Sequence, residues 1–510
     1  MKIVFRTDAS LLIGSGHVMR CLVLANALRE RGHAIRFATR PQSGDLISRI
    51  KAQGFDIVPM EQPEEWVYPE SETDYRAWLQ VEWQQDARDF LTKVTEADWV
   101  IIDHYGINAE WEGAVRDALG CRVMAIDDLV REHIADIVLD QTLGRCAAEY
   151  QGNSNLPFAL TGTDFALVHP SFAEARAGLK PPECAANKCR ILVSMGGVDQ
   201  PNATLKVLQT LARSEQLSVT VTVLINPQAP HYHEVLAFCR QFPRWITQLD
   251  FAENMAEIMC DHDIAIGAPG TTSWERACVG LPSIVVPIAD NQRQTATVLA
   301  KYCIAKIVEL DDIESDLIPV VKELIASPDS NSSAGLIVCD GLGVRRVVAA
   351  IECQESQVSL CLRKANSHDC KQVFDWQLLP QTRRFALNPT PPSWEEHTKW
   401  MQAKLVSPDD YFYIIEKHIT GEAQRGCGVV RLDRKPDGHY LISIFVDPGF
   451  YGQSVASQTL KMLDTIHPDI VIDATVLSGN EASQKLFTKA GYNRLSAEFF
   501  QRQPVSRRGN

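Results

Sequence analysis

The sequence predicts two doubly wound α/β units followed by a smaller α+β domain. Three observations carry this. Apolar runs of strand length alternate with stretches of helical periodicity from the start to about residue 350. Glycine-containing turns directly follow several of those runs, at 14–16, 196–197 and 267–270. Beyond a polar, aperiodic stretch at 353–359 the alternation gives way to strands that read as antiparallel. A chain of 510 residues is too long for one core, and its natural division is 1–165, 166–352, a linker at 353–359, and 360–510.

The first unit opens with an apolar run at 2–5, a buried strand, and a helix at 18–31. The loop between them carries Asp8, Ser10, Gly14, Gly16 and His17, with two glycines where backbone N–H groups can meet an anion at a helix N-terminus. It is a poor dinucleotide fingerprint, because Met19 stands where a third glycine belongs. The next strand, 34–38, also runs into Thr39 and Arg40 instead of an acidic ribose-binding residue. The bland alternative is that His17 caps or packs. A third strand follows at 56–59, and the acidic, aromatic stretch 61–85 (Trp66, Tyr68, Tyr75, Trp78, Trp83) reads as a surface loop and a helix. Strands at 99–105, 122–128 and 136–140 end in polar groups, among them Asp103, His104, Tyr105, Asp127 and Asp128. Such endings imply one cleft at the carboxyl ends of the sheet. Adjacent acids at 127 and 128 also suit helix capping.

The chain crosses into the second unit near 170–172, passes 181–188, and resumes with a strand at 190–194, Gly196, Gly197 and a helix at 202–211. Strands at 219–225, 263–266 and 283–287 follow, and 340–346 begins the closing helix. In the last domain 360–364, 411–415, 429–431 and 441–446 are strands, 394–404 a helix, 457–463 a helix and 470–476 a strand.

The composition, 45% hydrophobic and 22% charged, is that of an ordinary globular protein. No apolar run approaches the roughly 20 residues that span a bilayer, and no apolar leader follows Met1 and Lys2, so a cytoplasmic protein without a membrane partner is expected. The 14 cysteines lack C-x-x-C spacing and read as reduced, packed thiols. A net charge of −14 argues against nucleic acid as a partner. No metal motif is visible, and Asp103 and His104 would face opposite sides of a continuing strand, so a metal-independent reaction is expected.

Arg6, Asp8, Ser10, Gly14, Gly16, His17, Met19 and Arg20 together form a pattern that resembles the UDP-sugar hydrolases of pseudaminic acid biosynthesis. Those enzymes cleave UDP-2,4-diacetamido-2,4,6-trideoxy-β-L-altropyranose and are built like GT-B glycosyltransferases. The resemblance covers about 1–352. Cleavage at an anomeric carbon with a diphosphate leaving group needs one base, and His17 is the candidate, with Asp8 as its orienting or charge-stabilising partner. The resemblance marks Arg6, Ser10, Gly14, Gly16 and Arg20 as substrate-binding residues and Asp103, His104 and Tyr105 as sugar contacts. Gly196, Gly197, Gly270, Thr271, Thr272, Ser273, Glu275, Asn291 and Gln292 resemble the nucleotide-diphosphate clamp of GT-B enzymes. There, glycine and hydroxyl-rich turns donate to phosphates, and Glu275 can accept from ribose hydroxyls; tight strand–helix turns alone would also use these glycines.

Val446, Tyr451, Gly452, Gln453, Ser454, Val455 and Ala456, followed by Asn480, Ser483 and the run to Tyr492, resemble a GNAT acetyltransferase and its acetyl-CoA pyrophosphate loop. The upstream segments about Arg363 and His397 are similar to the enzyme that N-acetylates the 4-amino sugar nucleotide of the same pathway. Three positions depart from the family. Tyr451 and Ser454 stand where the loop has Gln or Arg and its first glycine, and Phe487 stands where GNATs often place a tyrosine acid. The resemblance as a whole implies a bifunctional enzyme using UDP-sugars and acetyl-CoA. The alternatives are a GT-B transferase with an acceptor other than water, and a hydrolase whose GNAT domain only binds.

Overall fold

The computed structural model describes all residues except 72, 151, 153–155, 180–187, 215–216, 328, 355–357 and 506–510, and it leaves the side chains of 291, 329 and 330 undescribed. The chain divides into two compact units, Met1–Val344 and Arg345–Asn510.

The first unit contains two parallel sheets. Strands β1 (Lys2–Thr7), β2 (Ala34–Thr39), β3 (Asp56–Pro59), β4 (Trp99–Asp103), β5 (Arg122–Ile126), β6 (Ile137–Asp140) and β7 (Phe158–Thr161) lie in the order β3-β2-β1-β4-β5-β6-β7. The second sheet, β8 (Cys189–Ser194), β9 (Val219–Leu224), β10 (Ile246–Leu249), β11 (Ile264–Gly267), β12 (Ser283–Val285) and β13 (Ala305–Ile307), runs β10-β9-β8-β11-β12-β13. Helices cover both faces, which is why a strand such as Trp99–Asp103 is apolar up to its last residue and buried at every position. In each sheet the strand order reverses once, between β1 and β4 and between β8 and β11. At those two points the connecting loops part and leave a crevice.

Sequence and structure differ mainly at element ends. The strand expected at 99–105 stops at Asp103, freeing His104 and Tyr105 for the loop. The stretch 61–85 yields a 3₁₀ turn, Tyr75–Leu79, before the helix Trp83–Lys93.

The second unit is a single sheet. Strands β14 (Val358–Lys364), β15 (Tyr411–Ile419), β16 (Arg425–Arg434), β17 (Tyr440–Val446), β18 (Ile472–Thr475), β19 (Asn493–Arg494) and β20 (Phe499–Arg502) take the order β14-β15-β16-β17-β18-β20-β19. Every neighbouring pair is antiparallel except β17 and β18. Helices Cys370–Leu378 and Trp394–Leu405 pack Val373, Trp376 and Met401 on Phe412, Ile414 and Val429.

The helix Gly343–Glu352, expected to close the second α/β half, has most of its length grouped with this second unit. Arg346 is fully buried and donates from Nη2 to the Tyr413 hydroxyl at 3.1 Å, and that hydroxyl lies 2.9 Å from His467 Nε2. Of the expected linker, 355–357 lie outside the described residues. We propose that the functional boundary is at 344/345. A fragment 345–510 should then unfold cooperatively, whereas one starting at 354 loses Arg346 and should be less stable by about 1–3 kcal/mol, the cost of an unpaired buried polar group. Equal denaturant midpoints for the two fragments would refute this.

Candidate functional site

Asp103 ends β4 at the first crevice with no exposed surface. The His17 Nδ1–H donates to its Oδ1 at 2.6 Å, and Arg20 donates from Nε to Oδ2 at 2.6 Å and from Nη2 to Oδ1 at 2.8 Å. His17 and Arg20 are three residues apart on the helix Gly16–Glu30, so one face of its first turns meets one carboxylate. Burial alone would raise the Asp103 pKa, but Arg20 and then His17 hold it well below the usual carboxylate range. The remaining His17 nitrogen, Nε2, has no hydrogen-bond partner among the described residues. A neutral imidazole oriented in this way can accept a proton.

An aromatic wall encloses that ring. Tyr105 and Trp78 present T-shaped contacts to His17 at 4.7 and 6.0 Å between centroids, and Tyr75 packs on both at 5.2 and 4.8 Å. Tyr75 comes so close that a Cβ at Gly106 would lie 2.6 Å from its carbonyl oxygen. Tyr75 and Trp78 were visible in the sequence only as part of an aromatic stretch. Tyr105 donates its hydroxyl to Asp128 at 2.7 Å, and Asp128 also accepts from Arg20 Nη1 at 2.6 Å.

Asp8 does not hold His17, as the sequence suggested. Its Oδ1 accepts from Arg6 Nη1 at 2.7 Å, from Thr39 Oγ1 at 3.1 Å and from the Arg40 amide at 2.7 Å. Arg6, expected at the substrate, is fully buried and also bonds both oxygens of Asp86. His104 is likewise enclosed. Its Nδ1 accepts from the Gly106 amide at 3.0 Å, its Nε2 nitrogen lies 3.3 Å from Asp8 Oδ2, and burial lowers its pKa. Asp8, Arg6 and His104 thus support the floor of the crevice. Ser10 builds the loop, its Oγ accepting from the amides of Leu12 and Ile13 at 3.2 and 3.1 Å. Gly14 takes φ +81°, and Gly16 starts the helix with open space beside its Cα.

At the second crevice, Gly196 (φ +91°) and Gly197 follow β8, and the 267–275 turn follows β11. A Cβ on Gly197 would lie 3.1 Å from the Ser15 hydroxyl, so the glycine loops of the two halves adjoin. Gly267 is required: a Cβ there would fall 2.3 Å from the Ser194 carbonyl oxygen. Arg276 fixes the turn by donating from Nη2 to the Ala268 carbonyl and the Ser273 hydroxyl, both at 3.0 Å. Gly270 and Thr271 are exposed, Thr272 is half-buried and Ser273 buried. Glu275 is half-buried, and burial, opposed by Arg276, pushes its pKa up to about 7. Gln292 accepts from the Ile288 amide at 3.0 Å, while the Asn291 side chain lies outside the described residues.

In the second unit β17 and β18 pair only at Tyr440–Ile472 and Leu441–Asp473. The rest of β17, up to Val446, has no register partner on β18, so the two strands splay there. Gly452 (φ +77°), Gln453 and Ser454 then turn into the helix Val455–Ile466, whose leading amides, those of Val455 and Ala456 included, have no partner within the helix. Ser454 itself sits at φ +60°, the left-handed conformation that explains a glycine in related loops. Tyr451 is exposed, and Asn480 is used as a cap, accepting from the Ser483 amide at 3.1 Å. Phe487 is buried against Tyr492 and Phe500 and offers no proton. Among the described residues one acidic group, Asp437, His439 and Asp473, has metal-ligand spacing, but the Lys435 ammonium already sits 2.8 Å from Asp473 and 3.3 Å from Asp437. Among the described residues of the whole chain no helix is long and apolar enough to cross a membrane.

Comparison with known proteins agrees with this division. Residues 359–493 match the acetyltransferase (GNAT) domain, and residues 191–335 match the glycosyltransferase family 28 C-terminal domain. The chain is 26% identical over 304 residues to the UDP-2,4-diacetamido-2,4,6-trideoxy-beta-L-altropyranose hydrolase of Campylobacter jejuni, covering 59% of this chain and 97% of that protein. It is 24% identical over 349 residues to the spore coat polysaccharide biosynthesis protein SpsG of Bacillus subtilis, covering 66% and 94%. An uncharacterised protein of Methanocaldococcus jannaschii is 24% identical over 513 residues, with 97% of each chain covered. The molecule therefore joins a GT-B-type, sugar-nucleotide-related unit to a GNAT acetyltransferase domain. The latter implies acetyl-CoA as co-substrate.

One further group stabilises the loop that carries Asp128. His133, 1% exposed, lies between Glu112 at 2.8 Å and Asp127 at 3.4 Å. Burial alone would lower its pKa, but Asp127 and Glu112 raise it from 6.5 to about 9. A raised histidine contributes stability that is complete below its unfolded pKa and lost as pH rises through the folded one. Equilibrium unfolding should therefore show a loss of up to about 3 kcal/mol between pH 6.5 and 9, absent in His133→Gln. An identical pH profile for the variant would remove His133 as the cause.

Proposed function

We propose that the first unit hydrolyses a UDP-2,4-diacetamido-2,4,6-trideoxyhexose to the free sugar and UDP, and that the second N-acetylates the preceding UDP-4-amino sugar. This would place both activities in pseudaminic acid biosynthesis. The observation that carries the hydrolase reading is His17, held by Asp103 through Nδ1 beside the aromatic wall, with no hydrogen-bond partner for Nε2 among the described residues. In the proposed reaction Nε2 takes a proton from water as the oxygen attacks the anomeric carbon, and the glycosidic C–O bond to the diphosphate breaks. Gly196, Gly197, Gly270, Thr271 and Thr272 hold the diphosphate, Glu275 accepts from the ribose, and Tyr75, Trp78 and Tyr105 pack on the apolar face of the sugar. The weak identity to the Campylobacter hydrolase supports the same substrate class.

In acetyl transfer, the neutral amine attacks the thioester carbonyl, the C–S bond breaks, coenzyme A leaves as the thiolate, and the proton lost by the nitrogen passes to solvent. A thiol's pKa near 8.5 makes that thiolate a competent leaving group without an acid at 487, so Phe487 is compatible with turnover. The second activity thus needs the loop and the splay more than it needs a proton donor.

Incubation with the UDP-diacetamido sugar alone tests the first reaction, because a transferase would release no UDP without an acceptor. Proton NMR read before mutarotation should show an inverted anomer, as direct attack by water requires. His17→Asn should lower turnover about 10²–10⁴-fold with UDP affinity unchanged. A variant retaining a third of wild-type turnover would exclude His17 as the base.

Glu275 adds a pH dependence to nucleotide binding. Its raised pKa leaves it protonated below about 7, and only the ionised form accepts both ribose hydroxyls. UDP affinity measured by calorimetry should be about tenfold weaker at pH 6 than at pH 8, over and above the titration of UDP itself. Glu275→Gln should remove that excess. If wild type and variant share one pH profile, Glu275 does not contact the ribose.

A further inference from the structure

The pyrophosphate loop of the second unit lacks a cation at its first position, where Tyr451 stands, and a cation from another strand lies beside it. Lys417, near the end of β15, is 5% exposed. Its ammonium donates to the Gln453 side-chain oxygen and lies 5.4 Å from the centroid of the Phe450 ring. Arg425, its register partner on β16, places its guanidinium 5.1 Å from the same ring. Two cations therefore flank the short turn Pro448–Phe450 that leads from β17 into the loop.

The electrostatics are lopsided. Among the described residues Lys417 has no carboxylate within ion-pair distance, only an amide oxygen and a π face. The acids nearby are engaged elsewhere. Glu416 accepts from Arg363 and Gln424, and Asp447 accepts from the Trp376 indole and the Gly449 amide. The exposed Arg425 has Glu422 at 3.8 Å. An ammonium removed from water and given only neutral partners is costly, and an anion brought to it would recover that cost. The loop that Gln453 belongs to is the segment whose leading amides face such an anion.

On the reading of this unit as an acetyltransferase, we propose that Lys417 is a binding residue for the diphosphate of acetyl-CoA, with Arg425 adding charge at the rim. Gln453 holds the ammonium in place beside the loop. Lys417 would supply from β15 the positive charge that position 451 lacks, and the serine at 454 would then be tolerated because affinity no longer rests on the loop alone.

Calorimetry of the full-length protein with coenzyme A and with 3′-dephospho-coenzyme A tests this. Lys417→Met should weaken both ligands by about tenfold or more, as expected for loss of a hydrogen bond to a charged group. Lys417→Arg should restore most of the affinity, and an unchanged unfolding midpoint of the second unit in both variants controls for its folding, while UDP-sugar hydrolysis by the first unit should be unaffected. Undiminished binding of coenzyme A by Lys417→Met would overturn the proposal. A loss confined to coenzyme A, with the dephospho form unaffected, would also overturn it by assigning Lys417 to the 3′-phosphate. Failure of the wild type to bind either ligand would instead refute the acetyltransferase reading on which the proposal stands.

Discussion

At the end of β4 a single carboxylate, Asp103, receives the histidine and the arginine of the first helix. All three side chains are nearly or wholly withdrawn from solvent. A buried charge of this kind is tolerated only while its partners stay in place, since removing one leaves another unpaired in a poorly polarisable surrounding. The pairing therefore sets the rotation of the helix Gly16–Glu30 about its axis, and with it the direction of His17 Nε2. Arg20 extends the same constraint to Asp128, and Asp128 to Tyr105, so the His17 imidazole and one side of its aromatic wall share one chain of contacts.

Two aspartates end or follow adjacent strands at the first crevice, and from the sequence they are equivalent candidates. The loop, the histidine and the helix were legible because glycine spacing and apolar periodicity are local properties. The choice between Asp8 and Asp103 was not legible. It depends on Asp86 and Arg40, which engage Arg6 and Asp8 from other elements and leave His17 to Asp103. Tyr75 and Trp78 escaped for a similar reason: nothing local marks a 3₁₀ turn that folds back over a site some sixty residues earlier in the chain.

The second unit was readable from its motif, yet two of its features needed three dimensions. Periodicity gives the helix Gly343–Glu352 an apolar face but does not say which core takes it. The buried contact of Arg346 with Tyr413 ties it to the later sheet. The departure at Ser454 was visible, and its physical meaning was not. The residue occupies a left-handed conformation, so the cost lies in backbone strain as well as in the space a Cβ takes from a ligand.

The charge states of the first crevice bear on the type of bond that can be broken there. Burial opposes ionisation of Asp8, Asp86, Asp103 and Asp127, yet arginine and histidine neighbours hold all four below the ordinary carboxylate range. None of them is a proton donor near neutral pH. Asp8 and Asp103 are also fully enclosed, with their oxygens facing other side chains, which suits neither an attacking carboxylate nor a covalent glycosyl intermediate. On the proposed reading none of these four carboxyls serves His17 as an acid, and the leaving group departs without a proton from them. A nucleoside diphosphate is such a group, because its negative charge is already spread over phosphate oxygens and can be received by the backbone amides of glycine loops. Ser15 and Gly197 adjoin, so on the proposed reading the loops that would receive the diphosphate lie beside the loop that carries His17.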